Sequence, residues 1–415
     1  MTRQLRALLA VLCAVSVANI YYAQPLLERI GSDLAMPTAR LGLIVTVAQV
    51  GYLVGLIVLV PLGDAVDRRR LIAAGIAAAS AGTLLVAFSA TSAQLFIGVA
   101  VAGMFSVVVQ VVVAYAAAVS APAERGRNLG VITGGVVVGI IAARSVSGLV
   151  ADVAGWRAVY ACSAILSLLL ACAAMVMLPQ EHGARPPAPY LRAVAAVVTL
   201  TTTSRVFRTK ALIALFLFAS FGVLWSAMAL PLGAAPWHLS PTQIGLFGIA
   251  GLAGALGAAR AGTWADRGRG ERVTVVALVL LLLSWVPIAQ TAYSLIALVI
   301  GVVVLDFAVQ AVHVSNQNRI VADDPEASSR IIGSYMAFYS VGSGVGAITA
   351  TSVYGAVGWR AVSLLGAAYA AAALGVWALD RSILGRAERS VTDSPREPPD
   401  RGGGGGGGTR ARARG

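Results

Sequence analysis

Long apolar runs recur along the chain, broken by short stretches of Arg, Asp, Gly and Pro. Bounded in this way, twelve segments stand out, at 5–24, 41–61, 71–89, 93–120, 128–150, 157–178, 211–235, 243–263, 273–290, 293–319, 331–354 and 361–379. About twenty helical residues cross roughly 30 Å of hydrocarbon, and these segments have that length. Their apolar positions are continuous rather than alternating, so they read as helices and not as barrel strands. Composition agrees: 58% of the 415 residues are hydrophobic and 12% charged, with a mean hydropathy of +0.82. That is more apolar surface than a soluble domain can hide.

The second half of the chain repeats the first. "RALLAVLCAVS" at Arg6 resembles "KALIALFLFAS" at Lys210, and "GDAVDR" at Gly63 resembles "GTWADR" at Gly262. Arg127 and Gly130 correspond to Arg330 and Gly333, and "GWRAV" occurs at Gly155 and again at Gly358. Four ordered pairs at nearly constant offset imply two six-helix bundles in parallel orientation. The expected organisation is an N-terminal bundle over 1–178, a linker over 179–210, a C-terminal bundle over 211–380 and a disordered tail over 381–415. The mid-chain copy of the first span also argues that the start is not a cleaved signal peptide. Within the linker, "LRAVAAVVTLTTTSRVFR" is apolar enough to lie along a membrane surface.

The basic residues set the topology. With the N-terminus inside, four of the 31 Lys and Arg (Arg29, Arg40, Arg157 and Arg360) face outward, two (Arg144 and Arg260) lie within spans, and the rest are inside. This positive-inside pattern accounts for the net charge of +13 without nucleic acid. It places a multi-pass protein in the cell membrane with both termini cytoplasmic. Cys13, Cys162 and Cys172 fall inside apolar runs and show no metal-ligand spacing. Gly135, Gly139 and Ala143, matched by Gly342 and Gly346, recur at four-residue intervals that let helix backbones approach closely. They are expected to form sliding contacts between the halves.

"GDAVDRRR" between spans 2 and 3, echoed by "GTWADRGRG" between spans 8 and 9, resembles the signature loop of the major facilitator superfamily. With the repeat and the twelve spans, that resemblance covers residues 5 to about 380. It implies an all-α membrane fold with 12 transmembrane helices in two pseudo-symmetric bundles. Gly63 permits a tight turn at the membrane edge, and Asp67 can accept hydrogen bonds from the N-terminus of a neighbouring helix. The family implies that the cluster of Gly63, Asp67, Arg68 and Arg127, with Gly262, Asp266, Arg267 and Arg330, latches the halves together and opens during a rocking motion. Arg70 and Arg269 stand where the family carries a second glycine. "NIYYAQPLL" and "ARSVSG" resemble a subgroup of bacterial drug-efflux-like members. Proton-driven drug antiporters of the family carry a Gly-Pro pair in span 5; this chain has Gly139–Ile140 there.

The resemblance implies that spans 1, 4, 7 and 10 line a central cavity, and these spans hold most of the intramembrane polar groups. Candidate cavity residues are Asn19, Tyr21, Tyr22, Gln24, Gln110, Tyr115, Trp225, Gln310 and Gln317, with Ser220 and Ser226 on span 7. In "VVVLDFAVQAVHVSNQNR", Val302 to Arg319, positions 306, 310, 313 and 317 fall along one helical stripe. A carboxylate at mid-membrane costs about 2.5–3.5 kcal/mol on insertion scales, so Asp306 needs a partner, water or a proton. Proton coupling through Asp306, with His313 as relay, stands beside a static ion pair with Arg144 and a direct contact to a cationic substrate.

No HExxH, Walker loop, paired zinc ligands or Ser–His–Asp set is present, which argues against an enzyme or an ATP-driven pump. No cofactor is expected. The expected function is a secondary transporter working by alternating access as a monomer, with a small molecule, protons and the bilayer as its partners. Efflux of amphipathic compounds by proton antiport leads. Proton-linked movement of a sugar or other polar metabolite is the alternative.

Overall fold

The computed structural model describes residues 1–121, 124–180, 190–264, 270–322 and 328–392. The first half comprises α1 (Arg3–Tyr21), α2 (Leu27–Asp33), α3 (Gly42–Ala65), α4 (Arg68–Ala87), α5 (Ser92–Ser106), α6 (Val108–Val119), α7 (Arg125–Ala154) and α8 (Trp156–Met177). The linker carries α9 (Tyr190–Thr203). The second half comprises α10 (Arg205–Ala227), α11 (Ala229–Gly233), α12 (Pro241–Trp264), α13 (Gly270–Ala289), α14 (Leu295–Val321), α15 (Ser328–Val357) and α16 (Trp359–Thr392). Eleven spans among the described residues are long and apolar enough to cross a membrane. α12 occupies the place of the remaining expected span. α16 runs past the expected boundary at 380, and residues 393–415 of the expected tail lie outside the described residues.

Local chemistry sets the helix starts. Thr2, Thr91, Ser204 and Ser294 each accept a hydrogen bond from a backbone N–H three residues on. Asp67 accepts from Arg69 N at 2.9 Å. Each satisfies a donor that the first turn leaves without a partner. The paired "GWRAV" glycines take positive φ, 82° at Gly155 and 96° at Gly358, where one span turns into the next.

Two prolines break the first span of each half at matching places. α1 ends at Tyr21, four residues before Pro25, and α10 ends at Ala227, four residues before Pro231. A proline has no N–H to give to the carbonyl four residues back, so each helix ends there and a short helix resumes. Span 4 is also divided, at Val107, where the Ser106 hydroxyl bonds back to the Ala102 carbonyl at 2.7 Å. Such back-bonding competes with the helix ladder and bends it.

The repeat is visible in the packing. α1 packs on α7 and α3 on α5, as α10 packs on α15 and α12 on α14. The halves meet through α3 against α15 and α7 against α12. One buried cluster runs through both halves, from Leu26 and Tyr52 to Leu217 and Val312.

The glycine stripes do not act between the halves. A Cβ at Gly135 or Gly139 of α7 would fall on the carbonyls of Ala10 or Ala14 in α1, and one at Gly342 or Gly346 of α15 on those of Leu215 or Ala219 in α10. These stripes seal each half internally. Between the halves, the close approaches are made by Gly42 against Ala347, Gly148 against Pro241 and Gly245 against the Arg144 carbonyl. Four-residue spacing specifies a smooth face, not which helix covers it. Overpacking a closed site costs about 1–3 kcal/mol. Gly139→Leu should therefore lower the thermal unfolding midpoint of the solubilised protein clearly, whereas Gly130→Leu, at a position with nothing within 4 Å, should leave it almost unchanged.

Candidate functional site

A cavity of about 380 Å³ lies between the halves. Tyr21, Tyr52, Gln110, Thr133 and Arg144 line it from the first half, and Phe218, Phe221, Asp306, Gln310, His313, Gln317 and Tyr339 from the second. All four positions of the α14 stripe reach its wall. Gln110 and His313, equivalent in the repeat, both line it. The rest of the lining is aliphatic, from Val17 and Val109 to Ile140 and Leu252.

Hydrogen bonds join the two halves at one end of the cavity. At this end, Asp152 of α7 accepts from Thr242 N at 2.9 Å and from its Oγ1 at 2.5 Å, and Arg29 Nη2 pairs with Asp152 at 2.7 Å. Gly42 N donates to Thr351 Oγ1 at 3.0 Å. At the other end, which carries the N-terminus, a Cβ on Gly126, Gly130, Gly134 or Gly333 would meet nothing within 4 Å. Arg127 and Arg330 are exposed there.

Asp306 and Arg144 face one another across an indole. Trp225 Nε1 donates to Asp306 Oδ1 at 3.1 Å. The guanidinium of Arg144 stacks over the Trp225 ring, 3.5 Å from its centroid, with Tyr21 and Phe221 rings at 5.2 and 5.7 Å. Arg144 Nε donates to Gln24 Oε1 at 2.8 Å. No direct ion pair joins the two charges. Both side chains are buried, Arg144 at 3% exposure and Asp306 at 6%. Snorkelling to the surface, open to Arg144 by its position in the span, does not occur.

The glycines of α12 shape this arrangement. Gly245 and Gly248 lie against Arg144, while Gly251 and Gly254 lie against Asp306. A Cβ at Gly251 would fall on Asp306 Oδ2. A second cluster surrounds His313, whose Nδ1 is 3.3 Å from Tyr335 Oη and whose ring packs edge-on against Phe218 at 5.1 Å. Tyr21 and Tyr339 hydroxyls bond across the halves at 2.6 Å.

Several expected cavity residues point elsewhere. Asn19 Oδ1 accepts from Ser163 Oγ at 2.9 Å, and Tyr22 meets the Tyr160 ring edge-on, so both face α8. Tyr115 donates to the Pro179 carbonyl at 2.8 Å and lies in a buried cluster of the first half. Ser220 donates to the Gly366 carbonyl at 2.9 Å, away from the cavity. Tyr52, Phe218, Phe221 and Tyr339 line the cavity unanticipated. Aromatic residues in apolar runs carry no mark that separates a cavity wall from a core.

The loop residues also differ from expectation. Gly63 makes no tight turn: α3 continues through it to Ala65, and a Cβ there would meet only ordinary contacts. Its carbonyl instead accepts from Arg68 Nε at 3.0 Å. Arg68 is buried and also reaches the Ala114 carbonyl at 3.3 Å, binding α4 to α3 and α6 within one half. Gly262 falls near the end of α12, while Asp266 and Arg267 lie outside the described residues.

Two helical halves of repeated packing, joined around a mainly apolar cavity with a few polar side chains, have the architecture of a membrane transporter, and the relatives of this chain are named as transporters. The family model for the Major Facilitator Superfamily matches residues 8–233 and 211–409. The chain is 41% identical over 370 residues to the uncharacterized transporter YgaY of Escherichia coli O157:H7, covering 89% of this chain and 94% of that one. It is 31% identical over 364 residues to the probable transporter SCO4007 of Streptomyces coelicolor, covering 87% and 84%. Among solved structures, it resembles a bacterial homolog of the human lysosomal transporter Spinster in an inward-facing, occupied conformation. That match has a TM-score of 0.74 at 14% identity and covers 95% of this chain and 98% of the other. The nucleoside transporter NupG matches at a TM-score of 0.72 and 15% identity, over 90% and 99%. The chain belongs to the major facilitator superfamily.

A hydrogen bond to a charged group contributes about 1.5–3 kcal/mol, and truncating a buried aromatic costs about 3–5 kcal/mol. Trp225→Phe, which keeps a ring under Arg144 and deletes the donor, should therefore lower thermal stability modestly. Trp225→Ala should lower it much further. An unchanged midpoint in Trp225→Phe would mean that the indole N–H contributes nothing.

Proposed function

We propose that this transporter exports small amphipathic compounds across the cytoplasmic membrane by alternating access, with both termini inside, and that Asp306 couples the movement to protons. The single observation that carries the reading is the setting of Asp306. It sits on the wall of the cavity, 6% exposed, and among the described residues its hydrogen-bond partner is the neutral donor Trp225. A carboxyl not locked into an ion pair can take and release a proton as access to water changes.

The apolar and aromatic lining, with amides at Gln110, Gln310 and Gln317, favours a partly hydrophobic compound over a multiply charged one. The Asp152–Thr242 and Gly42–Thr351 contacts hold the end of the cavity opposite the N-terminus, which the arginines place inside, and this favours an inward-facing reading of the conformation. Turning outward requires α7 to leave α12 and α3 to leave α15, which breaks the Asp152–Thr242 and Gly42–Thr351 contacts. Arg144 rides on α7 while Trp225 and Asp306 belong to the second half. The same motion therefore separates the guanidinium from the indole and changes the field at Asp306.

The test uses everted membrane vesicles containing the protein, with lumen pH followed on addition of amphipathic dyes, drugs and sugars. A compound-dependent pH change that disappears in Asp306→Asn is the expected result, and its sign tells exchange from cotransport. A change that survives in Asp306→Asn would assign Asp306 a structural role.

A further inference from the structure

Arg144 is buried without a protein anion. Of its guanidinium nitrogens, Nε has an acceptor in Gln24, whereas Nη2 is buried and has none among the described residues. The Trp225 indole covers one face of the group, and guanidinium N–H bonds leave in its plane, so the unanswered Nη2 donors lie off the stacked face. A buried charge left in this way is costly unless something pairs with it. The space beside Gln24, Pro25 and Met228 has about 10 Å³, room for one water at most. Arg144 also borders the large cavity.

We propose that Arg144 is the anchor for the carboxylate of an amphipathic organic acid. The proposal rests on the reading of the cavity as the substrate path and names the class of substrate. A carboxylate matches the planar fork in a bidentate manner, which an ammonium, an amide or a hydroxyl does not. The apolar body of the acid then lies along Phe218, Phe221 and Tyr339, on the same cavity wall. Among the described residues that line the cavity, Asp306 is the other charged side chain, and Trp225 stands between it and the guanidinium. With Asp306 protonated, the site carries one unbalanced positive charge, which the substrate anion cancels. Protonation of Asp306 and binding of the acid therefore favour each other at the site.

Three probes with one aromatic body and different heads test this: naphthoate, naphthamide and naphthylmethylammonium. Equilibrium binding to the purified full-length protein in nanodiscs is measured for each. A charge-assisted bidentate contact should favour naphthoate over naphthamide by about tenfold or more, with the ammonium weakest. Arg144→Gln should erase the preference, and Arg144→Lys, which keeps the charge without the fork, should leave part of it. Asp306→Asn should bind naphthoate at least as tightly as the parent protein. If Arg144→Gln does not fold, the probe ranking in the parent protein and in Arg144→Lys decides. Equal binding of the three probes, failure of all to bind, or a preference that persists in Arg144→Gln overturns the proposal. Equal binding leaves the transporter reading intact. A naphthoate preference with no proton movement in the vesicle experiment would instead sink the coupling role of Asp306 and leave the anion site standing.

Discussion

The indole of Trp225 lies between a buried guanidinium and a buried carboxylate, and the organisation of the site depends on that interposition. Either charge alone is costly in a hydrocarbon-like interior, and side by side they would collapse into a neutral pair. One aromatic ring serves both without joining them. Its positive N–H edge meets Asp306 and its negative face meets Arg144. A cation on a desolvated tryptophan face gains roughly 2 kcal/mol. Both charges thereby remain available to the cavity.

The same arrangement crosses the boundary between the halves. Arg144 comes from α7 and Trp225 and Asp306 from α10 and α14, with the glycines of α12 admitting both charged residues at close range. Larger residues at those positions would force the charges out of register. The seams that hold each half rigid, α1 on α7 and α10 on α15, use glycines against backbone carbonyls. The seams between halves pair such approaches with a few polar contacts at one end, among them Asp152 with Thr242 and Thr46 Oγ1 with the Gly344 carbonyl at 2.8 Å. Halves that are internally tight and jointly held by a small set of contacts are suited to move as bodies.

Much of this was legible before any coordinates. The twelve spans follow from the need to satisfy every backbone group within lipid, and the repeat follows from matched residues at nearly constant offset. The stripe of Asp306, Gln310, His313 and Gln317 is a consequence of helical periodicity, and the structure sets all four on the cavity wall.

Periodicity determines which residues share a face; it does not say what that face meets. Asn19 and Tyr22 share a span with Tyr21 but turn to α8, and the Gly135–Gly139 face meets α1 rather than the opposite half. Trp225 reads in the sequence as one more polar-tipped aromatic of span 7, and only the packing of three helices makes it the bridge between Arg144 and Asp306. The sequence by itself therefore determined the membrane architecture, the two-fold repeat and the costly charges, because backbone satisfaction and desolvation act on local composition. Which charge faces which, and through what, was decided by tertiary structure alone, since those distances depend on contacts between segments far apart in the chain.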